Sequence, residues 1–402
     1  MKYLNDKIEK VPLVTVKEGL VRILAPNPEY YKRPDGIYEP SWAPVFYNPR
    51  MEFNRDIAVL FINTVDYPRK MIVTDPLAGT GIRGIRYAVE CENVEKVYIN
   101  DINPIAYKLM IENVKLNNVE NKVSVECLEA NLMLRYHAMI GERFDLIDID
   151  PFGSPIPFID SSLNAIRNRG FIATTATDTA PLTGAHRDAC LRRYHARVIK
   201  TDFEKEVALR VLLSSLALRG AVYDFYMEAY LSYYADHYVR VYVRFKKGAK
   251  KATNMIKDKI GFILYCTNCL FRSYIKELSE AEDNCPVCSS KMIVLGPLWI
   301  GELGKINLIL KALTKVKDLN LNTKDRIIEL LNMLSNEYKI NTPYYRLDKV
   351  CSKLHTSMPP ISKLIDEIVH QGFEATKSHF DIRGIRTNMP YPLLRKLIYS
   401  LS

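Results

Sequence analysis

The stretch KMIVTDPLAGTGIRGIR, residues 70–86, decides how this chain folds. KMIVTD is short, apolar and β-branched, so it reads as a buried strand, and the Pro/Gly-containing turn DPLAGTG ends it. GIRGIR then opens a helix. Gly79 and Gly81 let the backbone approach a ligand closely, Gly84 lets the helix pack near its strand, and the helix N-terminus favours a polar or anionic group. Strand, glycine turn and helix together form the first βα unit of an open parallel sheet.

Further strands follow at the spacing such a sheet requires: KVYIND (96–101), VSVEC (123–127), FDLIDID (144–150) and GFIATTAT (170–177), each separated from the next by a helix-like segment. AVYDFYMEAYL (221–231) and YVRVYVRF (238–245) lie only a few residues apart and read as antiparallel hairpin partners. The expected fold is α/β, a seven-stranded Rossmann-like sheet. Residues 18–60, rich in proline and aromatics, read as a structured N-terminal extension. KKGAKKATNMIKDK (246–259) reads as a lysine-rich linker, and KDRIIELLNMLSNEY (324–338) and PPISKLIDEIVHQGF (359–373) show helical apolar spacing. The expected division is residues 1–245 and residues 246–402.

Asp101 stands at the tip of the second strand, where a carboxylate can accept both hydroxyls of a ribose. Gly79, Gly81 and Gly84 literally satisfy GxGxxG, so the glycines and Asp101 suit any adenosine-containing ligand, a dinucleotide included.

DIDPFG, residues 148–153, ends the fourth strand, on the edge where open α/β sheets put their chemistry. An exocyclic amine on a base is a poor nucleophile because its lone pair is delocalised into the ring. Acceptors at Asp150 and the carbonyls around Pro151 would draw its protons out of conjugation and stabilise the charge that develops on nitrogen. Pro151 fixes φ and offers no competing donor, and Phe152 supplies a flat face for a base taken out of its stack. Asp148, two residues earlier on the same strand face, assists or caps the sheet.

The chain has 402 residues, 48% hydrophobic and 25% charged, the make-up of a globular protein of two or three domains. The N-terminus, MKYLNDKIEK, has no apolar core, so no signal peptide is expected there, and no apolar run approaches the roughly 18 residues of a membrane span. A cytoplasmic location follows as the expectation. The net charge of +10 is uneven: residues 246–402 carry 25 Lys+Arg against 15 Asp+Glu, whereas residues 1–245 are neutral. A basic C-terminal part beside a neutral one suits a division between holding a polyanion and doing chemistry.

Cys266-x2-Cys269 and Cys285-x2-Cys288, fifteen residues apart, are two knuckles with the spacing of a structural Zn2+ ribbon, expected over residues 262–295. Four thiolates would close the site and leave no catalytic position open. In TPYYRLDKVCSKLHT (342–356) and KSHFDIRGIRTNMP (377–390), read as helices, basic residues alternate with aromatics, a pattern suited to phosphates and exposed bases. His355, His370 and His379 lack ligand spacing.

VFYNPRMEFNRD (45–56), DPLAGTGIRGIR (75–86), DIDPFG (148–153) and the basic C-terminal part together resemble the tRNA (guanine-26 N2)-dimethyltransferase family, over nearly the whole chain from about residue 18. The resemblance implies a class I methyltransferase sheet followed by a zinc ribbon and a mostly helical α+β RNA-binding domain. It implies S-adenosyl-L-methionine as methyl donor and tRNA as substrate, with one or two methyl groups placed on N2 of guanine 26. By motif, Arg55 and Arg83 would contact the cofactor, Asp101 its ribose, and Glu129 and Ala130 its adenine. Asp75, Gly79, Gly81 and Ile102 complete the expected cofactor site. Asp150 would be the catalytic carboxylate, with Phe46 and Phe152 sandwiching the guanine. No membrane and no obligatory protein partner are expected. Two other readings stand beside this one: an NAD-dependent oxidoreductase, which leaves DIDPFG, the cysteines and the basic part unexplained, and a non-catalytic zinc-containing RNA-binding protein.

Overall fold

The computed structural model describes residues 11–402, and the stretch MKYLNDKIEK, where no signal peptide was expected, lies outside the described residues. The chain divides into two compact units: Met1–Pro151 with Phe158–Thr174 and Lys311–Glu329, and Phe152–Pro157 with Thr175–Leu310 and Leu330–Ser402.

The first unit opens with an antiparallel hairpin, β1 (Leu13–Glu18) and β2 (Val21–Pro26), which begins ahead of the expected extension at 18–60. Helix α1 (Glu52–Thr64) precedes the alternating series β3 (Met71–Asp75), α2 (Ile82–Glu90), β4 (Val94–Asn100), α3 (Pro104–Leu116), β5 (Val123–Glu126), α4 (Ala130–Met139), β6 (Phe144–Ile149), α5 (Ile156–Ala165) and β7 (Ile166–Ala176). Strands β3 to β7 pair in parallel in the order β5-β4-β3-β6-β7. The order reverses between β3 and β6, which opens a crevice at their carboxyl ends. Every residue of β6 is buried, as expected of a parallel strand covered on both faces. Gly84 is required where α2 crosses β4, because a Cβ there would run into the side chain of Ile99.

The second unit contains α6 (Thr179–Leu182), α7 (Arg187–Tyr194), α8 (Glu204–Val222) and the hairpin β8 (Phe225–Ala235) with β9 (Tyr238–Lys247). These two strands complete a seven-stranded sheet ordered β5-β4-β3-β6-β7-β9-β8, the arrangement of a class I methyltransferase. After α9 (Ala249–Lys259) comes the antiparallel sheet β11-β10-β12, built from β10 (Ile260–Tyr265), β11 (Arg272–Ile275) and β12 (Ile293–Trp299). The chain ends with α10 (Ile306–Lys315), α11 (Lys324–Glu337), β13 (Tyr345–Arg346), α12 (Leu347–Leu354), α13 (Ile361–His370), β14 (Ala375–Lys377), β15 (Gly384–Thr387) and α14 (Tyr391–Ser400).

Three expectations are corrected here. Residues 246–259 are no linker: Ala249–Lys259 is helical because Ala252 and Met255, one turn apart, bury a narrow apolar stripe, and Met255 Sδ accepts from the Met227 amide at 3.0 Å. Strand β8 starts at Phe225 because α8 runs on to Val222 and the chain turns through Asp224, which has φ +57°. Residues 377–390 hold the last residue of β14 and all of β15, not a helix, and in 342–356 only Leu347–Leu354 is helical.

Four of the basic and aromatic residues of those two stretches also changed role. Tyr344, Tyr345, Phe380 and Arg386 are buried. Tyr344 stacks on Phe380 with centroids 5.2 Å apart, and Tyr345 on Tyr391 at 5.0 Å. The alternation served packing, because burying an aromatic stabilises by a few kcal/mol and fixes each ring to one neighbour. Arg386 is fully desolvated and paired: its Nη2 donates to Glu206 Oε2 at 2.9 Å and lies 3.4 Å from Glu337 Oε2. Arg210 joins through Nη2 to Glu206 Oε1 at 2.7 Å, and His379 Nδ1 lies 3.0 Å from Glu337 Oε1. Burial alone would raise the Glu206 pKa, but Arg386 and Arg210 override it and hold the carboxyl down at about 2.

Candidate active site

Two loops at the carboxyl edge of the sheet are pinned by one side chain at the end of β4. Asn100, at the end of β4, donates through Nδ2 to the carbonyls of Pro76 (3.0 Å) and Leu128 (2.9 Å), while its Oδ1 accepts from the Leu128 amide at 2.9 Å. The glycine turn and the loop after β5 are thereby tied to one buried amide. Gly79 and Gly81 adopt φ of +55° and +81°, a region open to glycine and costly for other residues. A Cβ on Gly79 would stand 2.7 Å from the Phe46 carbonyl oxygen, so Phe46, half-buried, lies directly against the turn.

Asp101 is anchored by this turn as well. Its Oδ2 accepts from the Gly79 amide and its Oδ1 from the Asn103 amide, both at 2.9 Å. Burial raises its pKa although those two amides oppose the shift. Ile102 beside it is 66% exposed, leaving an apolar surface next to the carboxylate. Glu129 is the exposed N-cap of α4, accepting from the Leu132 amide at 2.9 Å, and Ala130 is buried in the first turn.

The crevice between β3 and β6 holds three carboxylates and one guanidinium. Asp75 ends β3, Asp148 lies in β6 and Asp150 follows it. Arg83, on α2, donates through Nη2 to Asp150 Oδ2 and through Nη1 to Asn54 Oδ1 at 2.9 Å, and its Nη1 lies 3.6 Å from Asp148 Oδ2. Tyr87, one turn along the same helix, donates its hydroxyl to Asp148 Oδ2 at 2.6 Å. Asp148 and Asp75 are buried, whereas the Asp150 side chain keeps 18% exposure. Among the described residues, Asp150 Oδ1 accepts no hydrogen bond. One oxygen is thus fixed by Arg83 and the other is open to a donor.

Burial pushes Asp75 up to about 7; Arg83 opposes this, and the negative charges of Asp148 and Asp150 reinforce it. Three acids sharing one arginine in a crevice is a pattern that structural ion pairs rarely tolerate and active sites often use.

Arg55, expected at the cofactor, is buried with Nε donating to Glu18 Oε2 at 2.8 Å and Nη2 to the Asn48 carbonyl at 3.0 Å. Asp56, in the same NRD motif, pairs with Arg86 at 2.7 Å and accepts from the Thr323 amide at 2.9 Å. The motif therefore ties β1, α1 and α2 together. Sequence reasoning missed Asn54, Tyr87, Asn100 and Glu18, polar residues embedded in apolar segments that give no periodic signal.

In the second unit Phe152 is 67% exposed. The turn behind it is clamped: the Gly153 amide donates to Thr177 Oγ1 at 2.8 Å and the Thr177 amide to the Gly153 carbonyl at 3.0 Å. The four thiols of Cys266, Cys269, Cys285 and Cys288 converge, all Sγ atoms lying within 4.8 Å of one another. The pairs Cys266–Cys288 and Cys269–Cys285 are each 3.5 Å apart. Four sulfurs at about 2.3 Å from a tetrahedral zinc stand about 3.8 Å from one another, so this donor set fits that ion. The Val287 amide donates to Cys285 Sγ at 3.4 Å and the Cys269 amide to Cys266 Sγ at 3.5 Å, bonds that suit thiolates. No described helix is long and apolar enough to cross a membrane.

The family model of N2,N2-dimethylguanosine tRNA methyltransferase matches residues 28–399. The chain is 39% identical to the tRNA (guanine(26)-N(2))-dimethyltransferase of Methanosphaera stadtmanae over 389 residues, covering 96% of each protein. It is 38% identical to the protein of that name from Saccharolobus islandicus over 391 residues, covering 97% of this chain and 99% of the relative. Among solved structures it is similar to Trm1 from Pyrococcus horikoshii in complex with S-adenosyl-L-methionine, with a TM-score of 0.84, 33% identity, and coverage of 96% of this chain and 100% of that one.

Proposed function

Because the chain belongs to the N2,N2-dimethylguanosine tRNA methyltransferase family, we infer that it is an S-adenosylmethionine-dependent enzyme that methylates the exocyclic N2 of guanine 26 in tRNA. The dehydrogenase reading and the non-catalytic reading are set aside by that membership. The observation that carries the mechanism is the half-anchored carboxylate of Asp150.

S-adenosylmethionine, when bound, supplies an electrophilic methyl group on a sulfonium. The glycine turn at Gly79 and Gly81, with Asp101, Ile102, Glu129 and Ala130, supports a site for its adenosine: two left-handed glycines bring the backbone close, and a carboxylate is presented for a ribose. Asp75, Arg83 and Arg55 complete the proposed set. Arg83 orients Asp150, and Arg55, bonded to Glu18, acts from behind. Asp150 Oδ1 would accept a hydrogen bond from the guanine N2 amine, draw the lone pair out of the ring and balance the positive charge that develops as the nitrogen–methyl bond forms and the methyl–sulfur bond breaks, its electron pair staying on the sulfur that leaves as a neutral thioether. The proton on the methylated nitrogen then leaves through the same carboxylate to solvent. Holding Asp150 by one oxygen means the cradle is set before the base arrives. Phe152 and Phe46 are proposed as aromatic surfaces for a base removed from its stack. Whether one or two methyl groups are added depends on whether the monomethylated amine can turn and present its second hydrogen.

The four cysteines are proposed to hold a structural Zn2+ that fixes the loops between β10 and β12. Residues 1–245 are proposed to carry methyl transfer, and residues 246–402 to hold the tRNA body, with exposed Lys349, Lys353, Lys363 and Lys377 as phosphate contacts. A cytoplasmic location is proposed, and a tRNA-modifying role supports it.

The test is Asp150→Asn. The variant should bind S-adenosylmethionine with a Kd close to wild type and lose about 10³-fold in kcat on a tRNA transcript bearing guanine at position 26. Identification of the methylated nucleoside after digestion reads both product and position. Turnover within tenfold of wild type would remove Asp150 from the mechanism.

A further inference from the structure

Residues 1–245 are neutral as a whole, yet the stretch just after β7 is not. From Thr177 to Lys200 there are five basic residues, Arg187, Arg192, Arg193, Arg197 and Lys200, against two acids, Asp178 and Asp188. All five basic side chains belong to exposed residues. Arg193 is taken up by Asp178, its Nη1 lying 3.0 Å from Oδ2. Among the described residues, Arg187, Arg192 and Arg197 have no carboxylate within ion-pair distance. Guanidiniums without a carboxylate partner, two of them on α7, match the planar, bidentate geometry of phosphate.

The second observation is where this helix is fastened. Tyr194, the last residue of α7, donates its hydroxyl to Asp178 Oδ1 at 2.6 Å, so both oxygens of Asp178 hold α7. Asp178 follows Thr177, the residue that clamps Gly153 on both its amide and its carbonyl. Ser215 Oγ donates to the Tyr194 carbonyl at 3.1 Å and anchors the other side of the helix. A short chain of hydrogen bonds therefore runs from the arginine-bearing helix to the turn that carries exposed Phe152.

We propose that Arg187 and Arg192 on α7 grip backbone phosphates of the tRNA strand flanking the target guanine, and that Asp178 is a positioning residue that fixes this grip relative to the Phe152–Gly153 turn. The inference rests on the tRNA methyltransferase reading above. It adds to the sheet-bearing part of the chain an RNA contact that is independent of the basic C-terminal part. Phosphate contacts carry register and no sequence information, so α7 sets where the strand lies while the cradle reads the extruded base.

The experiment uses the full chain with an unmodified tRNA transcript bearing guanine at position 26. Arg187→Ala/Arg192→Ala should raise KM for tRNA about tenfold, leave kcat within about twofold, and make the slope of log binding constant against log salt shallower by about 1.4–1.8, the share of two phosphate contacts. Asp178→Asn should lower kcat about tenfold with KM for tRNA nearly unchanged, because the strand is still held but out of register. S-adenosylmethionine titration checks that each variant keeps its folded cofactor site. An unaltered salt slope and KM in the double variant would overturn the phosphate grip. A loss of cofactor affinity that parallels the loss of kcat in Asp178→Asn would overturn the positioning role. If the wild-type protein methylates no guanine in tRNA, the underlying reading fails instead, and the salt-slope comparison still decides whether α7 binds RNA.

Discussion

Two of the charge clusters among the described residues are built on opposite ratios. In the crevice between β3 and β6, Asp75, Asp148 and Asp150 share the single guanidinium of Arg83. In the second unit, Glu206 and Glu337 meet Arg210 and Arg386, with His379 beside them. The first cluster has too much negative charge for its burial, and Asp75 answers by holding its proton up to about pH 7. The second is balanced, and Glu206 stays ionised down to about pH 2. Excess like charge costs stability and supplies reactive acceptors, whereas balance supplies specificity of fold.

Removing one acid from each cluster should separate the two most clearly. Glu206→Gln leaves Arg210 and Arg386 buried without their shared counter-charge and should cost about 3–5 kcal/mol in urea unfolding. Asp75→Asn removes a charge that its surroundings already disfavour and should leave stability unchanged or raised. Equal losses in the two variants would erase the distinction.

Metal removal comes next. A strong chelator should strip the ion from the four cysteines and lower the stability of the C-terminal part by roughly 3 kcal/mol when metal had been present at about a hundred times its Kd. Cofactor affinity should hold. Metal analysis of the purified protein should return one zinc per chain, and a chain with none would leave the thiols without that role.

The smallest expected effect is a difference in pH slope. Asp75 has a folded pKa raised above the ordinary carboxylate value of about 4, so the stability it contributes is complete below that value and is lost as pH rises through about 7. Glu206 has a depressed folded pKa, so its contribution is present above the ordinary value and is lost as pH falls through about 2. Unfolding curves of wild type, Asp75→Asn and Glu206→Gln between about pH 3 and pH 8 should show the Asp75 variant flattening the neutral limb and the Glu206 variant the acid limb.

Much of this architecture was legible before any coordinates. The apolar runs ending at Asp75, Asp101 and Asp150, the glycines at 79, 81 and 84 and the CxxC spacing are local signals, each set by the few residues around it. Chain-local physics also placed helices at 324–338 and 359–373, close to the observed Lys324–Glu337 and Ile361–His370. What misled was composition read as exposure. KKGAKKATNMIKDK looked like a linker because its two buried residues are few, and the basic and aromatic run 377–390 looked like an RNA surface because burial of Arg386 needs Glu206, far away in sequence.

Strand period, glycine freedom and ligand spacing act over a handful of residues, so the parallel sheet, its carboxyl edge and the cysteine knuckles are written in the chain locally. Which charges meet is a matter of packing. That Arg83 fixes one oxygen of Asp150, that Arg55 turns to Glu18, and that Asp178 joins an arginine helix to the turn bearing Phe152 all depend on contacts between residues distant in sequence. Such pairings follow from how the segments pack, because a buried ion finds its partner in space and leaves no periodic trace along the chain.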